Sequence, residues 1–430
     1  MSRFIYSLVL YLLLPLTAIK LLWRGIKQPA YLQHWKERYG FFNTAIKSPV
    51  IWLHCVSVGE TRAAGPLIEH LLNIYPKHAI LLTHATPTGR AAGEQLFPAN
   101  KYPQVFRCYL PYDVPCAIGR FLKHFQPSIG LLMETELWFN LIAACKAKDI
   151  PLLLVNARLS ERSAKRYATI DGLTQQGFKS LSAIAAQTTQ DATRFANLMK
   201  GDTQHISVMG NLKFDVTPPE GEAERGQYLR GLLGVDRPIF LAASTRDGEE
   251  KMILDALVSA HIPNLLTIIV PRHPQRFDEV ASLLESRNIP YCRRSEFAMG
   301  NVASEIPNCQ VILGDSMGEM FTYYAACDVT LIGGSLLPLG GQNLIEACAM
   351  GKPVLIGAHT FNFSEASEQA IAAGAALRVS EKDLAEKLSA LIQNPALQNE
   401  MGKAGLAFSQ SAGGATKRLM QLIDQHLLKD

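Results

Sequence analysis

The sequence predicts an α/β protein of two Rossmann-like domains that face each other across a cleft, with a membrane-anchor helix at the N-terminus. Three observations support this fold class. Short apolar strands alternate with helical patterns along most of the chain, polar clusters follow many of these strands, and an uncharged apolar run precedes them. Alternating strands and helices favour a parallel, doubly wound sheet. At roughly 100–200 residues per domain, the 430 residues of the chain suffice for two domains.

The composition is that of a packed globular protein, with 48% hydrophobic and 19% charged residues. The net charge of +4 is small, and no long basic tract carries interleaved aromatic residues. Nucleic acid is therefore not a predicted partner. The eight cysteines are scattered without a C-x-x-C pair. This pattern indicates reduced thiols in a cytosolic compartment rather than disulfides or a zinc site.

Residues 1–24 are predicted to form a single membrane anchor. Phe4–Ile19 carries no charge, and the apolar run resumes after Lys20. About twenty helical residues reach across one hydrocarbon core of about 30 Å. A cleaved signal peptide is the alternative, but no A-x-A-like site follows the run. Basic residues after the run outnumber Arg3 before it, so the positive-inside rule puts the remaining domains in the cytoplasm. Pro15 leaves open a kinked, monotopic helix that lies in one leaflet.

Residues 25–215 are predicted to form the first Rossmann-like domain. Six apolar strands are expected here, at Pro49–Cys55, Ala79–Thr83, Pro127–Met133, Ile150–Val155, Ala183–Gln187 and Ile206–Met209. In parallel sheets, functional groups lie beyond the carboxyl ends of the strands. Polar side chains follow the predicted strands at Glu60, His84, Glu134, Glu136, Asn156, Arg158 and Lys213.

Residues 216–235 are predicted to be a linker, because the segment TPPEGEAER at 217–225 combines proline, glycine and charge. Residues 236–405 then predict a second domain of the same type. Its strands are expected at Pro238–Ala243, Leu265–Val270, Val311–Leu313, Asp328–Ile332 and Val354–Gly357. Residues 406–430 have the pattern of helices that could pack back on the first domain.

A glycine-containing turn in Leu331–Asn362 is the strongest ligand-binding signal of the second domain. Gly333 and Gly334 end a strand, and a short helix is predicted to start at Gln342. Glycines after a strand let a phosphate or sugar approach the backbone, and a helix start favours an anion. Glu346 could accept hydrogen bonds from two ribose hydroxyls. The alternative is a buried turn in which an asparagine caps the helix.

Other polar positions have two interpretations each. Ser244–Arg246 could hold a phosphate or form a helix cap with Glu249 or Glu250. Arg272 could pair with a phosphate or form a surface ion pair. Glu60 could be a general base or merely the cap of the helix that follows it. A basic cluster could grip an anionic acceptor or be a solvated face; it comprises Arg158, Arg162, Lys165 and Arg166.

No metal site is predicted. The three histidines that lie near strand ends do not fall at metal-site spacings, so we expect them to be polar neighbours rather than ligands. They are His54, His84 and His273.

Seven segments, together with the N-terminal anchor, resemble the bacterial transferases of 3-deoxy-D-manno-octulosonic acid (Kdo) in lipopolysaccharide synthesis. The resemblance covers essentially the whole chain in the same order. The segments are HCVSVGE, METELW, NARLSERS, GNLKFD, PRHPQRF, GDSMGEM and GGSLLPLGGQNLIEACAMGKPVLIG. The resemblance implies a GT-B glycosyltransferase at the inner membrane, with its catalytic domains on the cytoplasmic side. Such an enzyme moves Kdo from CMP-Kdo to a lipid A precursor of the lipid IVA type, with inversion and without a metal or other cofactor.

The resemblance also implies that residues 25–215 bind the acceptor, that residues 236–405 bind CMP-Kdo, and that particular residues have defined roles. The catalytic carboxylate falls on Glu60, and residues that stabilise the transition state fall on Glu134 or Glu136 and on Lys213. CMP contacts fall on Pro271, Arg272, Met317, Gly318, Glu319, Asn343, Leu344, Ile345 and Glu346. Arg246 stands where the family pattern leads us to expect a histidine, so its role stays open.

Two other functions remain alternatives at the level of sequence. One is a different two-domain glycosyltransferase or a sugar-nucleotide epimerase, which would not need the anchor. The other is a non-catalytic, sugar-nucleotide-binding scaffold at the membrane. The number of Kdo units, the acyl pattern of the acceptor and the oligomeric state are not determined by the residues.

Overall fold

The computed structural model describes residues 2–216, 218–296 and 309–427. The chain forms two compact units. The first comprises residues 1–215 together with 413–430, and the second comprises residues 216–412. Each unit contains one parallel β-sheet with helices packed on its faces, so the predicted pair of Rossmann-like folds is confirmed.

The first unit begins with a long apolar helix and continues with alternating strands and helices. Its strands within the described residues are β1 (Val50–His54), β2 (Ala79–His84), β3 (Val105–Tyr109), β4 (Pro127–Met133), β5 (Leu152–Ala157), β6 (Ala183–Ala186) and β7 (Ile206–Val208). Its helices are α1 (Arg3–Lys27), α2 (Val58–Ala63), α3 (Gly65–Ile74), α4 (Pro87–Leu96), α5 (Pro115–Phe125), α6 (Phe139–Lys146), α7 (Glu161–Ala168), α8 (Asp171–Lys179) and α9 (Thr189–Leu198).

The strands of the first sheet run in the order β3-β2-β1-β4-β5-β6-β7. The order reverses between β1 and β4, and a crevice for ligands is expected outside the carboxyl ends of the strands at such a switch point. β1 is buried along its whole length because helices cover both faces of the sheet. Fully buried parallel strands have near-continuous apolar sequences, which is why this strand was predictable.

The second unit repeats this plan. Its helices are α10 (Glu222–Leu233), α11 (Glu249–Ala260), α12 (Phe277–Ser286), α13 (Met320–Ala326), α14 (Ile345–Ala349), α15 (Ser364–Ala372), α16 (Leu384–Ile392) and α17 (Pro395–Ala412). Its strands are β8 (Ile239–Thr245), β9 (Leu266–Pro271), β10 (Tyr291–Arg293), β11 (Val311–Leu313), β12 (Val329–Ile332), β13 (Val354–Ile356) and β14 (Ala376–Arg378). The sheet order is β10-β11-β9-β8-β12-β13-β14, with the switch point between β8 and β12.

Three strands escaped the sequence prediction, namely β3, β10 and β14. Each lies at an edge of its sheet. An edge strand has one neighbour and is less completely covered, so its sequence lacks the continuous apolar run that identifies an interior strand. The partly exposed sequence YCR of β10 illustrates this.

The predicted linker at residues 216–235 is wrong for most of its length. α10 occupies Glu222–Leu233 and packs on α13 inside the second unit. Gly226 allows the approach, because a Cβ there would lie 2.1 Å from the Cβ of Ala325. Arg230 also donates to Asp328 at 3.0 Å. The proline, glycine and charged residues belong to the start and the solvent face of a packed helix. Thr217 lies outside the described residues.

The chain returns to the first unit at its end. After α17, the helix α18 (Ala415–Leu427) packs Leu419, Met420 and Ile423 into the core beside β1. Asp215 accepts the backbone N–H groups of Ala415 and Thr416 and so caps the helix. The change of unit falls at Gly413 rather than at residue 406. Residues 428–430 lie outside the described residues.

α1 lies against the first unit rather than apart from it. Tyr6 donates to Asp113 at 2.9 Å, the hydroxyl of Tyr11 accepts the N–H of Cys116 at 3.2 Å, and Thr17 contacts Tyr39 at 3.0 Å. Leu21 and Gly25 are buried. The opposite side of α1 is bare and apolar, and it exposes Phe4, Leu8, Leu12, Leu16, Ile19, Leu22, Trp23 and Ile26.

Candidate active site

Glu60 lies at the carboxyl end of β1, which borders the switch point of the first sheet. Ser57 caps α2, and Glu60 belongs to its first turn. The N–H of Val56 donates to Glu60 Oε2 at 2.8 Å, and the hydroxyl of Ser57 donates to Oε1 at 2.9 Å. The predicted capping role therefore exists. It does not exclude a chemical role, because each carboxylate oxygen has a second lone pair.

The surroundings of Glu60 raise the pKa of its carboxyl group to near 7. The residue is 8% exposed. Its pKa is raised to about 7, mainly by burial; the hydrogen bonds from Val56 and Ser57 act in the opposite direction, and the charges of Glu134 and Glu136 add to the rise. A general base is most effective when its pKa lies near the working pH. Glu60 meets that condition.

Glu134 follows β4 across the switch point and is held in an unusual backbone conformation. Its φ of 59° lies in the left-handed region, which is uncommon for a residue other than glycine and stores strain. Its Oε1 lies 3.7 Å from Nζ of Lys213. Both side chains are about one-third exposed, so the pair remains accessible to a ligand.

A residue of β5 holds the turn that carries Lys213. This lysine belongs to a short 3₁₀ turn, Leu212–Phe214, that follows β7. Asn156, the penultimate residue of β5, has a φ of 51°, and its Oδ1 accepts the N–H of Leu212 at 3.0 Å. The sequence showed Asn156 only as one of several polar residues at strand ends. In the structure it fixes the turn that carries the lysine.

Glu136 completes the group. Burial raises its pKa, and the charge of Glu134 adds to the effect. The structure therefore brings together Glu60, Glu134, Glu136 and Lys213 at one edge of the first sheet. The first and last of these residues are 153 positions apart in the chain. Three carboxyl groups and one ammonium group can accept a proton and stabilise developing charge there.

Two buried histidines lie beneath this edge. His54 Nδ1 contacts Thr83 Oγ1 at 2.9 Å, and His84 Nδ1 contacts the carbonyl of Cys55 at 2.9 Å. Burial lowers the pKa of His54 to about 3 and that of His84 to about 4, so both are neutral at pH 7. Across the described ranges no group of three or more His, Cys, Asp or Glu side chains is arranged to hold a metal.

The basic cluster lies on and just before α7 and is exposed at all four positions. Lys165 pairs with Glu161 at 2.7 Å on the same helix. The four basic residues therefore match a solvated face, and among the described residues they are not organised around a ligand.

In the second unit, Arg272 and Glu346 come together at the carboxyl edge of the sheet. Arg272 Nε donates to Oε1 of Gln342 at 3.1 Å. Burial raises the pKa of Glu346, and a hydrogen bond from Asn343 and the charge of Arg272 both oppose that rise. Arg272 is half-buried and faces the glycine-containing turn.

Asn343 makes two hydrogen bonds through its side chain at the start of α14. Its Oδ1 accepts the N–H of Ile345 at 3.0 Å, which caps α14, and its Nδ2 donates to Glu346 at 3.1 Å, which orients that carboxylate. Leu344 and Ile345 are fully buried. Their side chains support the turn, whereas Asn343 and Glu346 present polar side chains there.

The 316–319 loop follows β11. Met317 is 67% exposed, and Gly318 has a φ of 83° with open space around it. Glu319 pairs with Arg294 at 2.7 Å and accepts a hydrogen bond from Ser316. Glu319 therefore anchors the loop. Pro271 is the last, buried residue of β9.

The Ser244–Arg246 segment contacts the two glutamates at the start of α11 but does not form the predicted helix cap, because the N-cap residue of α11 is Gly248. Glu249 is fully buried and accepts the N–H groups of Arg246 at 2.9 Å and Gly334 at 2.6 Å. Its carboxylate thus fills the switch point between β8 and β12. Glu250 accepts from Thr245 at 2.7 Å and from Arg276 at 3.1 Å.

Comparison with known sequences assigns the family. Residues 33–216 match the profile of the 3-deoxy-D-manno-octulosonic-acid transferase (kdotransferase) family, and residues 304–408 match that of glycosyl transferases group 1. A 3-deoxy-D-manno-octulosonic acid transferase of Bordetella pertussis is 41% identical over 99% of this chain and 100% of its own length. The chain belongs to the Kdo transferase family.

Solved structures agree on the fold of this family member. A glycosyltransferase from Rickettsia africae matches 90% of the chain and 100% of its own length, with a TM-score of 0.54 and 14% identity. UDP-GlcNAc 2-epimerase from Neisseria meningitidis matches 89% of the chain and 100% of its own length, with a TM-score of 0.55 and 16% identity. The predicted GT-B fold class is confirmed. Because enzymes of different reactions share this fold, the family assignment rests on the sequence relatives.

One buried cation escaped the sequence prediction of the site. Arg38 is 6% exposed, and it was not among the predicted site residues. No pattern in the sequence separates it from its exposed neighbour Lys36. Only packing reveals it, because its guanidinium lies 3.8 Å from the ring centroid of Tyr109.

Proposed function

We propose that this protein is an inverting glycosyltransferase that moves Kdo from CMP-Kdo to a lipid A precursor of the lipid IVA type, as a step of lipopolysaccharide biosynthesis. The observation that carries the proposal is the Glu60 carboxyl group, which lies at the switch point of the first sheet and has a pKa of about 7. Membership of the Kdo transferase family supplies the sugar.

The proposed reaction is a single displacement. The oxygen of an acceptor hydroxyl forms a bond to the anomeric carbon of Kdo while the bond from that carbon to the CMP phosphate oxygen breaks. CMP leaves with the bonding electrons from the opposite face, which inverts the configuration. Glu60 takes the hydroxyl proton as the new bond forms.

The neighbours of Glu60 have supporting roles in this proposal. Lys213 supplies a positive charge where negative charge develops in the transition state. Glu134 holds Lys213 in place, since the two lie 3.7 Å apart. Glu136 keeps the pKa of Glu60 high through its charge. No metal or other cofactor is part of the proposed reaction.

The second unit is proposed to bind CMP-Kdo. In this proposal Arg272 pairs with the phosphate and Glu346 accepts hydrogen bonds from the ribose. The hydrogen bond from Asn343 to Glu346 supports the second role, because it orients the carboxylate. Gly318, in open space after β11, allows the base or sugar to approach the backbone. The exposed apolar side chain of Met317 can cover the bound base or sugar.

Membrane attachment is proposed to occur through α1, at the cytoplasmic face of the inner membrane. Its 18-residue window of highest mean hydropathy, 2.0, is only 6% buried. The hydroxyls of Tyr6 and Thr17 and the buried Gly25 tie the other side of α1 to the first unit. From residue 6 to residue 25 the helix rises roughly 28 Å, about the thickness of a hydrocarbon core. A spanning α1 would therefore draw the first unit into the bilayer, so we propose a monotopic helix that lies in one leaflet.

The test is a transfer assay with purified, detergent-dispersed protein, CMP-Kdo and a lipid A precursor, with products identified by mass spectrometry. We expect the acceptor to gain the mass of at least one Kdo residue, in the presence of EDTA as well as in its absence. Glu60→Gln keeps the cap but cannot take the proton, so we expect turnover to fall by about 10²–10⁴-fold. Glu69→Gln, an exposed carboxylate on α3, is the matched control and retains full turnover.

Three outcomes would contradict the proposal. Binding of CMP-Kdo without any product would favour a scaffold. Conversion of a sugar nucleotide without transfer would favour an epimerase. Turnover of Glu60→Gln above about a tenth of the wild-type value would place the base elsewhere, with Glu134 and Glu136 as the next candidates.

A further inference from the structure

The turn that follows β12 in the second unit directs backbone N–H groups at one point. Gly334 has a φ of 70°, in the left-handed region that favours glycine. The N–H groups of Gly334 and Leu336 donate to the same carboxylate, at 2.6 Å and 3.0 Å. Neighbouring N–H groups in such a turn form an anion-binding concavity. At the switch point of a doubly wound sheet, the anion in this position is commonly a phosphate of the ligand.

In this chain a carboxylate of the protein itself occupies that position. Glu249 is the first residue of α11 and is fully buried. Its Oε1 accepts the N–H of Leu336, and its Oε2 accepts the N–H groups of Gly334 and Arg246. The helix dipole also favours a negative group at the start of α11. The groups that could bind a ligand phosphate at this turn are therefore already engaged.

The neighbouring glutamate shows how unusual the partners of Glu249 are. Glu250 is equally buried, and its carboxylate is paired with Nη2 of Arg276 at 3.1 Å. Among the described residues, no Lys, Arg or His nitrogen lies within 4.0 Å of the Glu249 carboxylate. Its partners are neutral N–H groups, so no side-chain cation cancels its charge. A second anion brought to this turn would be repelled.

The occupied turn adjoins the side chain proposed to bind the donor phosphate. The N–H of Gln342 donates to the carbonyl of Gly333 at 3.0 Å, and its Oε1 accepts from Nε of Arg272 at 3.1 Å. A Cβ at Gly334 would lie 3.2 Å from Nε2 of Gln342, so this side chain touches the turn. Gln342 thus connects Arg272 to the turn. A second donor phosphate directed at the turn would meet the Glu249 carboxylate instead of free N–H groups.

We propose that Glu249 makes the donor site selective for a nucleotide sugar with a single phosphate. This inference rests on the proposed function, because it concerns the donor of that reaction. Glu249 removes the N–H groups that a diphosphate would use and adds a like charge beside them, and such unfavourable contacts create specificity. The one phosphate of a nucleoside monophosphate sugar still has Arg272. Glu249 is a positioning residue, since it acts through the turn and not on the reacting atoms.

The test compares CMP with CDP, which differ only in the second phosphate. Isothermal calorimetry measures the binding of each to full-length, detergent-dispersed protein in EDTA, so that no divalent cation bridges the phosphates. We expect wild-type protein to bind CDP no more tightly than CMP. Glu249→Ala frees three N–H groups, so the ratio of CDP affinity to CMP affinity should rise by roughly 10–100-fold, the value of a charge-assisted contact.

The control removes a carboxylate elsewhere on the same helix. Asp255 belongs to α11 and pairs with Arg287 at 2.6 Å, away from the turn. Asp255→Ala should keep the wild-type ratio. Circular dichroism checks that each variant is folded. If Glu249→Ala does not fold, Glu249→Gln takes its place, because it removes the charge but keeps one acceptor oxygen. Its ratio should rise in the same direction.

A purely structural role of Glu249 predicts a different result. Damage to the turn would weaken CMP and CDP equally, so an unchanged ratio in the folded variant would overturn the inference. Wild-type protein that binds CDP more tightly than CMP by about tenfold or more would also overturn it, and this measurement needs no variant. If wild-type protein transfers no Kdo, the proposed function fails while the nucleotide ratios still decide the role of Glu249.

Discussion

Glu60 is buried close to two other carboxylates, and both effects raise its pKa. This pKa determines how the activity of the enzyme should depend on pH. The folded pKa of Glu60, about 7, lies above the ordinary value, so the group is protonated below pH 7. A base must be ionised, so we expect kcat to rise with pH and to level off above about pH 7. The same shift means that ionising Glu60 costs stability. Its favourable contribution is present at low pH and is lost as pH rises through about 7.

Replacing a neighbouring charge should move that profile. Glu134→Gln removes a negative charge that raises the pKa of Glu60, so the rising limb should shift to lower pH. The readout is the midpoint of the kcat profile, which is independent of any general loss of rate. Glu69→Gln is the control and should leave the midpoint unchanged. An unmoved midpoint in Glu134→Gln would show that Glu60 is not the group that titrates.

The donor side makes a separate prediction at the level of residues. Arg272→Ala should weaken CMP-Kdo binding by roughly one to two decades, because a charge-assisted hydrogen bond is lost. Glu346→Ala should weaken it through the ribose. Arg287→Ala, which breaks a surface pair with Asp255, should leave it unchanged. Isothermal calorimetry measures all three, and wild-type affinity in both site variants would contradict the proposed donor site.

At the level of elements, α1 has one face for the protein and one for the membrane. Leu12 and Leu16 are exposed, while Tyr6 and Thr17 bond to the first unit. Leu12→Asp/Leu16→Asp should release the protein from membranes, because charged groups are expensive in the hydrocarbon region. Thr17→Ala should not. Deletion of residues 1–24 should also release it. Transfer to detergent-dispersed acceptor should fall less than transfer to acceptor in membranes.

The in-plane orientation of α1 is tested with an N-terminal tag. A monotopic helix leaves both of its ends on the cytoplasmic side, so a protease added outside spheroplasts should not remove the tag. Removal of the tag from outside would show that α1 crosses the bilayer. Wild-type protein found in the soluble fraction would contradict membrane attachment altogether.

The elements that could be read from the sequence are those with continuous apolar strands. β1, β5 and β12 are buried along their whole length and were all predicted. β10 and β14 are three-residue edge strands that owe their conformation to a single neighbour, so their sequences carry little signal. α10 was misread because a glycine in a helix resembles a linker until the helix it packs against is known.

At the level of the whole molecule, the first unit is completed by the end of the chain. Leu419 is fully buried in the core beside β1. Leu419→Ala should destabilise the first unit by about 2–5 kcal/mol. Leu406→Ala, 39% exposed on α17, is the matched control and should have a small effect. Urea unfolding followed by tryptophan fluorescence measures this selectively, because Trp23, Trp35, Trp52 and Trp138 all belong to the first unit. An unchanged midpoint would show that α18 contributes no core packing.

The sequence by itself determined the alternation of strands and helices, the apolar N-terminus and the residues that follow the strands. These follow from local chemistry, since interior strands must be apolar and polar groups must lie at strand ends. It also carried the family resemblance, which selected Glu60 from several carboxylates.

Only the tertiary structure decided which of those residues meet. The switch point lies between β1 and β4, so the carboxylates after these two strands influence each other, although 74 residues separate position 60 from position 134. It also decided that Glu249 fills the switch point of the second sheet and that Arg38 is buried without a carboxylate partner among the described residues. A residue's burial and its partners depend on segments distant in the chain, and no local pattern encodes them.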